Sequence, residues 1–284
     1  MALPAAASGK ANRGSGAAMA ERPVLVLLHG LGANRHVWDG VAELLSVRGT
    51  SVLAPDFRGH GRAAWTGHYS FGAMAADVAA ALHSEYAAEP YAVVGHSMGG
   101  AVALALASGW FGPAPASAAT IGVKIRWSDE ELARIDGLAA RPPRGFDDRQ
   151  AAAEWFLKLS GLFGVIPADD PRLAAAIDAG VAHDSGQELP WRASQDPATV
   201  SVGPPDLAAL LPATKCPISM AIGERDPLVA ADHHDDLAAA ASANPLTAGV
   251  AEPHVFGGLG HNAMVEDPRA VAGWLAALPG FAAD

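Results

Sequence analysis

Short apolar runs recur along the chain at 24–28, 51–54, 91–94, 118–123, 217–222 and 254–256, most of them closed by Gly, Asp or His. Unbroken apolar runs that end in turn formers predict strands buried on both faces, as in a parallel sheet. Between them, 37–47, 71–86, 98–108, 232–241 and 268–278 carry their apolar residues at helical spacing. Strand and helix alternate, so the expected fold is α/β, a doubly wound and mostly parallel sheet. The alternation fails from 124 to 213, where Trp127, Trp155, Phe156, Phe163 and Trp191 sit among charged helical stretches and turns such as Arg141-Pro142-Pro143-Arg144. That stretch reads as an inserted helical cap dividing a core into 21–123 and 214–284. Residues 1–20 are small and polar and read as a disordered tail, with Met19 as an alternative start.

Bulk composition narrows the classes. A chain of 284 residues suits one large domain with an insertion. With 19 Lys plus Arg against 30 Asp plus Glu, the formal charge is −11, and no basic stripe is present to bind nucleic acid phosphates. The single cysteine, Cys216, has no intramolecular partner, so nothing requires an oxidising compartment and a cytoplasmic location is expected. No run approaches the roughly 18 apolar residues of a membrane span. His233 and His234 lack partners at metal-ligand spacing, and neither a metal nor a cofactor is expected.

Chemistry concentrates at Gly95-His96-Ser97-Met98-Gly99-Gly100, which follows an apolar strand and opens the Ala-rich run 101–107. Strand, G-x-S-x-G and helix together describe a nucleophile elbow, in which small flanking residues let a strained turn lift the serine hydroxyl above the sheet. The plainer alternative is a glycine-rich turn whose serine only caps a helix. Upstream, the 24–28 run enters His29-Gly30-Leu31-Gly32, so the N–H groups of Leu31 and Met98 are candidates to hold a substrate oxyanion. An ordinary strand-to-helix turn is again the alternative.

These motifs, with Asp56-Phe57-Arg58-Gly59-His60-Gly61, Gly223-Glu224-Arg225-Asp226-Pro227 and Gly257-Gly258-Leu259-Gly260-His261, resemble the α/β-hydrolase superfamily in content and order. The likeness runs from Pro23 to Leu278 apart from the cap. It implies Ser97 as nucleophile, Asp226 after a late strand as the orienting acid, and His261 after the last strand as general base. Asp129 and Glu130, after the 118–123 strand, are the rival acids, and His96 is expected to be structural. Two departures stand out. No β-hairpin precedes the His-Gly strand, so about six strands are expected, and the cap matches no particular subfamily.

A cap over the carboxyl edge of the sheet would line the substrate pocket. Trp127, Trp155, Phe156 and Trp191 are its candidate apolar lining, unless they form the cap's own core. Lys124 or Arg126 would be placed to meet a substrate carboxylate, or else is simply a solvated strand end. The reading is hydrolysis of a small carboxylic ester or thioester through an acyl-serine. The alternatives on the same triad are carbon–carbon bond hydrolysis and an elimination like that of the menaquinone-pathway synthase. A non-catalytic hydrolase-fold binding protein is the alternative of a different class.

Overall fold

The computed structural model describes residues 23–86, 90–247 and 250–281. The proposed tail at 1–20 lies outside them. Elements run β1 (Val24–Leu28), α1 (Asp39–Ser46), β2 (Val52–Leu53), α2 (Phe71–Tyr86), β3 (Tyr91–His96), α3 (Met98–Ala107) and β4 (Ser117–Ile121). The inserted stretch holds α4 (Asp129–Ala139), β5 (Gly145–Phe146), α5 (Arg149–Leu159), α6 (Pro171–Gly180), β6 (Val181–His183), β7 (Trp191–Ala193) and α7 (Leu207–Ala213). The chain then returns through β8 (Ile218–Gly223), α8 (Ala238–Ser242), β9 (His254–Phe256), α9 (Ala263–Glu266) and α10 (Pro268–Ala276).

The main sheet has six strands in the order β2-β1-β3-β4-β8-β9, and every neighbouring pair is parallel. Side chains alternate across it. Val24, Val26 and Leu28 enter one core with Met74, Val78 and Leu104, whereas Leu25 and Leu27 enter the other with Trp38, Val41 and Leu275. Because both faces are covered, the strands read as continuous apolar runs. All ten residues of α3 are buried, which explains a helix that is apolar all round rather than amphipathic.

From β1 the chain turns outward to the edge strand β2, then crosses to β3 on the other side of β1. The connections leaving β1 and β3 therefore diverge at their carboxyl ends. Such a switch point is where open α/β sheets leave a crevice for ligands. Leu28 and Gly95 are paired in register, so the His29-Gly30-Leu31-Gly32 turn and the Ser97 turn emerge side by side.

The insertion is helical in large part, with side-chain caps from Ser128, Asp148 and Asp170 starting α4, α5 and α6. It also contains a three-stranded antiparallel sheet, β5-β7-β6, which a purely helical expectation leaves out. Its strands are two or three residues long, too short to show a period. Phe156, Leu157, Leu162, Leu173 and Ala176 join the same buried cluster as Leu27, Trp38 and Val94, so this part of the insertion is continuous with the core. The expected 232–241 helix instead begins as a 3-10 helix over Ala231–Leu237 and becomes α-helical only in α8.

Two glycines make the β3-to-α3 connection sterically possible. A methyl group on Gly95 would lie 2.0 Å from the Gly99 carbonyl oxygen, and one on Gly99 would lie 2.5 Å from that of Leu28. Gly95→Ala is expected to destabilise the fold by about 3 kcal/mol or more, because backbone rather than a flexible side chain must move. Denaturant unfolding at neutral pH measures this, and a loss under about 1 kcal/mol would show that the turn has slack.

Candidate active site

Ser97 has φ 51° and ψ −117°, and among the described residues no other non-glycine has positive φ. Its N–H donates to the Ile121 carbonyl at 2.8 Å, and its own carbonyl accepts from Gly100 at 2.9 Å. These bonds fix a conformation that side-chain-bearing residues avoid. The residue is half-buried at the amino end of α3, and a methyl group on Gly30 would lie 3.3 Å from its Cβ. Among the described residues, the N–H groups of Leu31 and Met98 donate to no protein acceptor.

His261 follows β9, and Asp226 follows the adjacent strand β8. The His261 Nδ1–H donates to Asp226 Oδ2 at 2.7 Å, and the Asp226 side chain is fully buried. Asp226 Oδ1 accepts from the N–H groups of Leu228 at 2.8 Å and Val229 at 3.2 Å. Both carboxylate oxygens are thus occupied, which fixes the carboxylate's orientation; in the neutral ring this bond leaves the lone pair of His261 on Nε2. The rival acids are elsewhere: Asp129 and Glu130 are exposed at the start of α4.

The histidine loop is tied down at several points. Gly258 donates to Glu224 Oε2 at 2.6 Å, Gly260 donates to Glu266 Oε2 at 2.8 Å, and Arg225 donates to the Leu259 carbonyl at 2.8 Å. His96 connects this loop to the elbow. Its Nε2–H donates to the His261 carbonyl at 3.0 Å, and the two rings lie 4.6 Å apart. The backbone thereby brings Ser97, His261 and Asp226 to one end of the sheet.

Gly122 was absorbed into the 118–123 strand by the sequence pattern, although β4 ends at Ile121. It adopts φ +64°, and a methyl group there would lie 3.1 Å from the His261 ring and 3.2 Å from Asp226 Oδ2. A glycine interrupting an apolar run is the available signal, since it marks a close approach.

Three further histidines are fully buried below the site. His29 donates from Nδ1 to the Gly30 carbonyl at 2.8 Å and accepts the Phe57 N–H at Nε2 at 3.0 Å, so the neutral ring pins two motif loops together. Burial holds the pKa of His29 below its ordinary value and that of His96 well below it. Burial, reinforced by the His29 ring 5.2 Å away, lowers His60 to about 3. Asp56 supports the same region, accepting from Arg35 N–H at 2.8 Å and Arg62 N–H at 3.0 Å.

Of the four aromatic pocket candidates, Trp155 and Phe156 are consecutive on α5 and Trp191 pairs in register with Phe146 of β5, while Trp127 precedes α4. Phe156 is core, 2% exposed. Trp155 packs 6.4 Å from Phe146 with the Arg144 guanidinium over its ring, and Trp191 packs 4.6 Å from His183. Trp127 lies under Lys124. Among the described residues no ring contact or hydrogen bond joins any of the four to Ser97, Asp226 or His261. Lys124 is paired with Glu131, and Arg126 with Asp232 and Asp236. Among the described residues no cluster of His, Cys, Asp and Glu is arranged to hold a metal ion, and no helix is long and apolar enough to cross a membrane.

Residues 25–274 match the model of the alpha/beta hydrolase family, and the chain belongs to that family. Over 90 residues it is 46% identical to the magnesium-chelatase 30 kDa subunit of Rhodobacter capsulatus, covering 31% of each chain. Over 175 residues it is 31% identical to the lipase LipV of Mycobacterium tuberculosis, covering 61% of this chain and 63% of that one. The chain thus spans about a third to under two thirds of the length of these relatives. A crystal structure of an esterase from Mycobacterium tuberculosis superposes with a TM-score of 0.68 at 24% identity, covering 89% of this chain and 82% of that one, which shows the shared fold.

The buried histidines set a pH dependence. An unfolded histidine takes up a proton below about pH 6.5, whereas the buried ring resists until far lower pH, so folding stability is lost as pH falls through that interval. For His60 the window runs from 6.5 down to about 3. Each such residue contributes up to about 1.4 kcal/mol per pH unit. Urea unfolding between pH 6.5 and 5 should show a steep loss that becomes shallower in His60→Gln. An unchanged slope in that variant would show that His60 titrates normally.

Proposed function

We propose that this chain is a serine hydrolase acting on a small carboxylic ester or thioester, with Ser97 as nucleophile, His261 as general base and Asp226 as the orienting acid. The observation that carries the reading is the 2.7 Å bond from His261 Nδ1 to the buried Asp226 carboxylate, together with a serine held at positive φ at the carboxyl end of β3 in the same sheet. The names of relatives support the chemistry, since a lipase and an esterase cleave esters.

In this mechanism Ser97 Oγ attacks the substrate carbonyl carbon as His261 Nε2 takes the hydroxyl proton. The imidazolium that forms is stabilised by Asp226, whose position also fixes the tautomer. The carbonyl oxygen becomes an anion, received by the Leu31 and Met98 N–H groups. Collapse of the tetrahedral intermediate breaks the bond to the alcohol or thiol, which leaves with the proton from His261. Water, deprotonated by the same nitrogen, then releases the acid and restores Ser97. The steps balance without a cofactor.

Wild type should be labelled by a fluorophosphonate and hydrolyse p-nitrophenyl esters, and Ser97→Ala should abolish labelling and lower kcat by several orders of magnitude. Asp226→Asn should cost kcat by orders of magnitude with the fold intact by circular dichroism, whereas Asp129→Ala and Glu130→Ala should each cost less than about tenfold. Labelling that persists in Ser97→Ala, or a severe loss in Asp129→Ala beside an active Asp226→Asn, contradicts the assignment.

A further inference from the structure

One turn of the insertion touches both loops that carry the proposed machinery. After α5 the chain runs Leu159-Ser160-Gly161, and a methyl group on Gly32 would lie 2.4 Å from the Leu159 carbonyl oxygen and 3.2 Å from the Ser160 nitrogen. Gly32 follows Leu31 directly. On its other side the turn meets Asn262, the neighbour of His261, whose Nδ2–H donates to the Gly161 carbonyl at 2.9 Å. Asn262 is only 1% exposed, and that carbonyl is the sole partner its side chain has among the described residues. A buried amide with one bond available is held by it strongly, because losing the bond leaves a desolvated donor.

The turn is itself stiff. Ser160 Oγ donates to the Phe156 carbonyl at 2.9 Å, and the N–H groups of Leu162 and Phe163 converge on the Leu157 carbonyl at 2.8 and 2.9 Å. Leu162 is fully buried, so the turn is rooted in the core rather than carried on a mobile arm. At Gly161 the backbone has φ +70°, and a methyl group there would lie 3.3 Å from Asn262 Nδ2, so a side chain would press on the bond. Asn262 also starts α9, its carbonyl accepting from Val265 at 2.8 Å and Glu266 at 3.1 Å.

We infer that Asn262 and the Leu159–Gly161 turn form a spacer that sets the distance between the Leu31 N–H and the His261 imidazole. Asn262 is then a positioning residue acting through His261, and the insertion contributes to the geometry of the reacting centre. This rests on the roles proposed above for Leu31 and His261. A misplacement of about 1 Å in such a site costs on the order of 100-fold in rate, so the effect belongs in kcat and not in KM.

The test measures kcat and KM for a p-nitrophenyl ester, and the second-order rate of fluorophosphonate labelling, in wild type, Ser97→Ala, Asn262→Ala, Gly161→Ala and the Gly161→Ala/Asn262→Ala double variant. Thermal melting by circular dichroism reports the folded fraction. Asn262→Ala should lower kcat and labelling rate together by about 10- to 100-fold per folded molecule, with KM within about threefold. Gly161→Ala should act in the same direction, and the double variant should lose less than the product of the two, as coupled neighbours do. A wild-type kcat in folded Asn262→Ala overturns the inference, as does a loss confined to KM or to melting temperature. Should Asn262→Ala not fold, Gly161→Ala decides by the same criteria. Absence of Ser97 labelling in wild type would remove the nucleophile reading and this inference with it. Labelling of wild type and Asn262→Ala at equal rates overturns the inference alone.

Discussion

The backbone at Ser97 is the constraint from which the rest of the site follows. A side-chain-bearing residue at φ 51° is strained by about 1–3 kcal/mol, and it persists only where its surroundings leave no other course. Those surroundings are β3, which pairs with β1 and β4 up to Gly95 and His96, and α3, which is buried over its whole length. Between two such elements the turn has no room for side chains at Gly95 and Gly99. The free energy of packing α3 against the sheet offsets the strain, and Ser97 is held in the connection that leaves the carboxyl end of β3.

The same economy of space governs the two residues proposed to work with Ser97. Asp226 and His261 come from adjacent parallel strands, so their loops leave the sheet in the same direction and meet without a long reach. Gly122 and Gly223 permit this approach from the sheet side; a methyl group on Gly223 would lie 2.1 Å from the Gly260 carbonyl oxygen. Below the site, His29, His60 and His96 serve as neutral hydrogen-bonding wedges between loops. Burial keeps them uncharged, which joins the integrity of the site to pH through folding rather than through the chemistry.

Much of this was legible in the residues, for a physical reason that also marks where legibility ended. Strands buried on both faces must be apolar throughout, so β1, β3, β4 and β8 stood out, and the glycines of the elbow declared a turn that no other residue fits. The Asp226–His261 contact depended on resemblance, because nothing in a linear sequence says that the β8 and β9 loops converge. The small antiparallel sheet in the insertion was missed because strands of two or three residues carry no period. Phe156 illustrates the ambiguity of aromatic residues at helical spacing: a core ring and a pocket ring have the same pattern, and only the fold separates them. Asn262 gave no signal at all, since its partner is a backbone carbonyl 101 residues away.

The central claim is that strain at Ser97 aims one hydroxyl between His261 and a pair of free N–H groups. A crystal structure of the wild-type protein after reaction with a fluorophosphonate tests it most directly. The account predicts a phosphonyl group bonded to Ser97 Oγ, with one phosphoryl oxygen about 2.7–3.1 Å from the Leu31 and Met98 nitrogens and the His261 ring still bonded to Asp226. An adduct on another residue, or one on Ser97 whose oxygens contact neither N–H group, would contradict it.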